Sequence, residues 1–104
     1  MVGSPRMASR FQLRRYQIKP GEMRAWVQEW LDKVRPLRAQ FGFQVVGSWT
    51  SEGDQFVWII RYDGPLTFEE ADRVYYSSPE RKALSPDPAR HIAASDLLVM
   101  DATS

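Results

Sequence analysis

The chain contains a single histidine, His91, and so a single side chain whose ordinary pKa lies near neutrality. That makes His91 the first candidate for a general acid or base. It follows the helix start Asp87-Pro88, where a loop would bring it to the mouth of a cleft between sheet and helix. Tyr16 and Tyr75 are the phenols that could share proton handling with it. Arg14, Arg15 and Arg61 sit in strands, and one of them, Arg61 first, could anchor a carboxylate or enolate through its bidentate fork. Trp26, Trp58 and Tyr76 would then line a pocket for a planar aromatic ligand. Each residue also has a purely structural role open to it. His91 could bond a backbone carbonyl, the tryptophans could be core, and Arg61 could pair with Asp63, Asp96 or Asp101. Tyr75 and Tyr76 are neighbours on one helix, so both cannot face inward.

Composition narrows the chemistry. With no cysteine there is no disulfide framework, thiolate nucleophile or thiolate metal ligand. No P-loop, HExxH, GxSxG or Rossmann fingerprint occurs, and neither a cofactor nor a metal is expected. Residues 1–40 carry nine Lys and Arg against three acids, while residues 41–104 carry five against ten. The basic half lacks any nucleic-acid motif. Its Arg24, Arg35 and Arg38 interleave with Glu22, Glu29 and Asp32, which reads as the solvated face of an amphipathic helix. The basic half is expected to meet the acidic half, within or between subunits. No apolar run approaches membrane-spanning length and no signal-peptide core precedes the first charges, so a cytoplasmic protein is expected.

Several elements must position these residues. Residues 1–9 (MVGSPRMAS) show no periodicity and read as a flexible lead-in or an expression remnant, with residues 10–104 forming one domain. Phe11 to Ile18 predicts a strand, with Phe11 and Leu13 on one face and Tyr16 and Ile18 on the other. Met23, Trp26, Val27, Trp30, Leu31, Val34, Leu37 and Phe41 recur at spacings of three and four, one apolar stripe along a helix. Pro36 lies within it and should kink it, and Gly42 ends it. Gln44–Thr50 and Gln55–Tyr62 predict a hairpin closed by Ser51-Glu52-Gly53-Asp54. Thr67 and Glu70 have capping-box spacing ahead of a second helix that carries Phe68, Ala71, Val74 and Tyr75. Ser78-Pro79 and Asp87-Pro88 each start a further short helix. Leu97–Asp101 predicts the last strand.

The resulting order, β-α-β-β-α-β, predicts an α+β ferredoxin-like fold: a four-stranded antiparallel sheet with helices on one face. Helices cover one face only, yet the third strand has Phe56, Trp58 and Ile60 on one side and Val57 and Ile59 on the other. Leaving three large side chains in water would forgo about 5–8 kcal/mol. A homodimer through the open sheet face, forming a shared barrel, is therefore expected.

The segments FQLRRYQIKPGEM, Trp30 to Phe43, and WIIRYDGPLTFEEADRVYYSSPERKALSPDPARHI together resemble bacterial members of the NIPSNAP family. That family belongs to the dimeric α+β barrel superfamily. The resemblance implies the same fold and homodimer. Through superfamily relatives it suggests a cofactor-independent monooxygenase or cyclase acting on an aromatic or polyketide-like substrate. A non-catalytic ligand-binding or structural homodimer is the other reading. The superfamily's haem-degrading branch uses an Asn, a Trp and a His; this chain has no Asn, so that set does not carry over.

Overall fold

A computed structural model describes residues 10–103; the expected lead-in, residues 1–9, lies outside them. Strand β1 (Arg10–Ile18) leads into a helix built in three continuous pieces. These are α1 (Met23–Glu29), a π turn (Trp30–Val34) and α2 (Arg35–Gln40). A hairpin follows, β2 (Phe43–Ser51) and β3 (Gln55–Tyr62), then α3 (Phe68–Ser77) and the short α4 (Pro79–Lys82). A 3-10 turn (Pro88–His91) delivers the chain to β4 (Ile92–Asp101). The strands lie in the order β2-β3-β1-β4, every neighbouring pair antiparallel. This is the α+β ferredoxin-like arrangement expected from the order of elements.

The local signals have identifiable outcomes. Thr67 and Glu70 form a reciprocal capping box at the start of α3. Ser78 and Asp87 cap their own short helices, each with Pro at the start. Pro36 disturbs the long helix, and the disturbance takes the form of the π turn, closed by the Arg35 N–H on the Trp30 carbonyl. At 3.6 residues per turn, a row of positions four apart drifts about 40° per step. The wider turn reduces that drift, so Trp26, Trp30, Val34 and Arg38 all stay under the sheet. Three sequence expectations are corrected here. Leu31 and Val74, both expected on buried helix stripes, lie in solvent at 43% and 48% exposure, and Arg38 is not on a solvated face but only 1% exposed.

The strands alternate regularly. Gln12, Arg14, Tyr16 and Ile18 of β1 and Phe56, Trp58, Ile60 and Tyr62 of β3 face the helices, and all are buried. The Trp26, Trp30, Phe56 and Trp58 rings meet edge to face at 5.2–5.5 Å and fill the space between α1 and the sheet. The other side of the sheet carries Leu13, cross-strand from both Ile59 and Leu98, and Trp49 opposite Val57. Trp49 lays its ring against Gly47, where a Cβ would stand 2.7 Å from it. The open face is thus apolar through Leu13, Trp49, Val57, Ile59 and Leu98, and not through Phe56, Trp58 and Ile60. Strand β4 begins at Ile92 rather than Leu97, because β1 also pairs with Ile92, Ala94 and Ser95, the register skipping Ala93 as a bulge.

Candidate functional site

The alternation of β1 sets a guanidinium, Arg14, between Gln12 and Tyr16 on the face beneath the helices, 4% exposed. An unpaired charge there would cost several kcal/mol, and every direction of its fork is used. Arg14 donates to Gln12 Oε1 at 2.7 Å, to the Tyr16 hydroxyl at 2.8 Å, to Asp72 at 3.1 Å and to the Tyr76 hydroxyl at 3.2 Å. Arg38 enters from the helix and donates to the same two residues, Asp72 at 2.6 Å and the Tyr76 hydroxyl at 3.3 Å. Its guanidinium also lies 4.0 Å from the centre of the Tyr75 ring and 4.7 Å from that of Phe43. Asp72 and Tyr76 are four apart on α3, so both present to the two arginines. Two buried cations therefore share one carboxylate, which leaves an excess positive charge.

Beside this cluster the sheet and helices part. An outer cavity of about 320 Å³ opens between Arg14, Tyr16, Tyr76, Ala89 and the start of β4. It adjoins an inner recess of about 20 Å³, about the room of one water. The recess is walled by Tyr16, Trp26, Trp58, Tyr75, Tyr76 and Arg81, among others. The indole N–H groups of Trp26 and Trp58, the Tyr75 hydroxyl and Nε of Arg81 are buried without a hydrogen-bond partner. Buried polar groups are almost always satisfied, and four of the six unpartnered buried side-chain groups among the described residues belong to residues that wall this recess, the other two being Nε1 of Trp30 and Nε of Arg38. Burial raises the pKa of Tyr75 against the opposing pull of Arg38 and Arg81. Burial likewise raises that of Tyr16, with Arg14 opposing. Both phenols therefore keep their protons at neutral pH. Arg81 is held by Asp87 at 2.9 Å and stands near the rings of Tyr75 and Tyr76.

His91 sits elsewhere. It is 5% exposed, with Nδ1 2.8 Å from Glu22 and Nε2 3.1 Å from Glu29. Ionised carboxylate oxygens only accept, so each contact calls for an N–H on the nitrogen facing it. Glu29 also takes a bidentate pair from Arg90 at 2.6 and 3.0 Å. The Arg90 hydrogen bonds, with a smaller contribution from His91, hold the Glu29 carboxyl below the usual range. This cluster ties the start of the long helix to the 3-10 turn.

The structure thus brings Tyr16, Tyr75, Tyr76, Trp26 and Trp58 together around one cleft and leaves two of the sequence candidates out. His91 lines neither cavity. Arg61 lies on the opposite face of the sheet, paired with Asp63 at 2.9 Å. Arg38, Asp72 and Arg81 were absent from the expected set, and Arg14 was in it only as one of three strand arginines behind Arg61. Arg14 was legible as an inward position, two residues from Tyr16. Arg38 was legible as the fourth member of the row through Trp26, Trp30 and Val34. The basic half does meet the acidic half within the chain, through Arg14 and Arg38 with Asp72, Arg15 with Asp96 and Arg10 with Asp101.

Among the described residues, no group of three or more His, Cys, Asp or Glu is placed to hold a metal ion. Among the same described residues, no helix is long and apolar enough to cross a membrane.

Residues 11–104 match the family model of NIPSNAP. Nothing among curated proteins matches the chain significantly. Several solved structures do share its fold. A NIPSNAP family protein of Agrobacterium tumefaciens superposes with a TM-score of 0.81 at 14% identity, covering 99% of this chain and 93% of its own. An uncharacterized NIPSNAP domain protein of Burkholderia xenovorans gives 0.74 at 16% identity, covering 88% and 91%. A Caulobacter crescentus protein, described as a candidate antibiotic biosynthesis monooxygenase, gives 0.70 at 15% identity, covering 94% and 92%.

Proposed function

This chain belongs to the NIPSNAP family, and from that premise we propose that it is a small-molecule-binding protein whose ligand lies in the cleft between β1, α3 and the 3-10 turn. The carrying observation is the cleft itself: an outer cavity of about 320 Å³, at the small end of ligand sites, leading to a recess ringed by unpartnered N–H and O–H groups on aromatic walls. Such walls suit an aromatic or polyketide-like molecule, with Tyr16, Tyr75 and Tyr76 orienting it.

A cofactor-independent monooxygenase or cyclase is the catalytic form of this reading, and the neighbour described as a candidate monooxygenase favours it. Both reaction types begin with a substrate carbanion or enolate. No free carboxylate or imidazole lines the cleft to generate one, because Asp72 is committed to two arginines and His91 to two glutamates. Catalysis here would therefore act on a substrate that arrives ionised, with the tyrosines returning protons; simple binding needs nothing more.

The protein works as a homodimer in this reading, joined through the open sheet face of Leu13, Trp49, Val57, Ile59 and Leu98. Trp49 and Leu98 are more than half exposed there, which is costly in a lone chain. Its compartment is the cytoplasm, where a chain without cysteine forgoes no disulfide.

Trp fluorescence and calorimetry with planar aromatic compounds test the cleft. Ala89, which borders both cavities, is changed to Trp to block it. Binding by the native protein and its loss in Ala89→Trp with unchanged circular dichroism is expected; equal binding by both would place the ligand elsewhere. Light scattering tests the dimer. Twice the chain mass is expected for the native protein and the single mass for Ile59→Glu. A native monomer at micromolar concentration would overturn it.

A further inference from the structure

We propose that the cleft selects planar ligands carrying an oxyanion, an aromatic carboxylate or ionised enol, and rejects amines of the same shape. This rests on the reading of the cleft as the ligand site and adds the polarity of what enters. It follows from counting which hydrogen-bonding valences the protein has already spent.

The carboxylate and amide acceptors near the cleft are taken, which leaves the hydroxyls of Ser95 and Tyr75, groups that donate as readily as they accept. Both oxygens of Asp72 receive guanidinium N–H groups, Oδ1 from Arg38 and Oδ2 from Arg14. Gln12 Oε1 receives Arg14 as well. Oδ1 of Asp87 receives both Arg81 and the Ala89 N–H. No Asp, Glu, Asn, Gln or His side chain lines either cavity.

The donors are in surplus. The Tyr16 oxygen accepts from Arg14, and the Tyr76 oxygen accepts from both Arg14 and Arg38. A phenol whose oxygen already accepts from guanidinium groups has only its O–H left to offer. Tyr76 is 42% exposed at the cleft mouth, so that O–H is reachable. The N–H groups of Trp26, Trp58 and Arg81 add donors deeper in. Arginine itself cannot reverse this polarity, since it neither accepts nor loses its proton in proteins.

The electrostatics agree with the hydrogen-bond count. Arg14 and Arg38 share one carboxylate, so the wall carries net positive charge where solvent is largely excluded. A cationic ligand would meet that charge with no carboxylate free to offset it, only the neutral hydroxyls of Ser95 and Tyr75. An oxyanion would meet charge-assisted donors, the stronger class of hydrogen bond. The sizes fit the same assignment: a fused two-ring system in the outer cavity, and one oxygen-sized group toward the recess.

Three probes of one shape test this: 2-naphthoate, 2-naphthylmethanol and 2-naphthylmethylamine, titrated by calorimetry and by the indole N–H resonances of the tryptophans. The naphthoate is expected to bind at least tenfold more tightly than the alcohol, and the amine not measurably. Tyr76→Phe is expected to weaken naphthoate about tenfold and the alcohol less, because the O–H offered to the oxyanion is removed; it also removes the oxygen that accepts from Arg14 and Arg38, so a native circular dichroism spectrum is required of the variant. Equal affinity for the alcohol, or preference for the amine, would overturn the polarity while leaving the cleft as a ligand site. Binding by none of the three would overturn both.

Discussion

Two ionic clusters lie on the helix side of this sheet, and they are built to opposite specifications. Around His91, two carboxylates face one imidazole and one guanidinium, and each ring nitrogen and both Glu29 oxygens have a partner. Around Arg14, two guanidinium groups face one carboxylate, and nearby indole and phenol groups have no partner at all. The first leaves no ring nitrogen and no Glu29 oxygen unpartnered and serves to clamp the long helix to the 3-10 turn. The second has positive charge and donors to spare and borders a cavity. Residue type pointed the other way, to the lone histidine as the chemical centre. Unspent valence is the better guide to where a ligand goes.

The largest test of this contrast is Asp72→Ala. It strands two buried guanidinium groups and should cost about 3–5 kcal/mol in urea unfolding. A loss below about 1 kcal/mol would mean that water already solvates the pair. His91→Ala should cost less, about 2 kcal/mol, by removing the partner of Glu22 and one of the two partners of Glu29, which keeps Arg90. It should leave naphthoate affinity within twofold of native, and a tenfold loss would erase the distinction between the clusters.

Glu29→Gln reads the clamp through pH. Because the folded-state pKa of Glu29 is lowered, its contribution is present above the ordinary glutamate range and disappears as pH falls through the lowered value. The variant should therefore have a lower urea midpoint at pH 7 and converge on the native midpoint in acid. A gap that stays constant with pH would assign the effect to packing. The smallest change is expected for Arg61→Ala. Its pair with Asp63 is about two-fifths exposed on both sides, so stability should move by about 0.5 kcal/mol or less. Since the residue lies across the sheet from the cleft, ligand affinity should not move. Weakened naphthoate binding would return Arg61 to the site.

The order of elements, the capping box at Thr67, the proline-led helix starts and the two-sided apolar character of β3 were all determined by the sequence. Each depends on spacing within a few residues or on alternation along one strand, and local chemistry suffices for that. Alternation grouped Tyr16 with Ile18 and Trp58 with Phe56 and Ile60, but only the pairing of β1 with β3 puts both groups on the helix side. What the sequence could not decide was the fate of its arginines. Arg38 lies among acids along the chain and reads as solvated, yet the π turn at Trp30–Val34 and the placement of α3 bring Asp72 and Tyr76 to it from 34 and 38 residues away. Arg14 reaches the same two residues from across the sheet layer, 58 and 62 positions distant. His91 was drawn the other way, into a clamp with Glu22 and Glu29. A buried charge is tolerated only where partners converge in three dimensions, and convergence across such separations is a property of the packed layers alone.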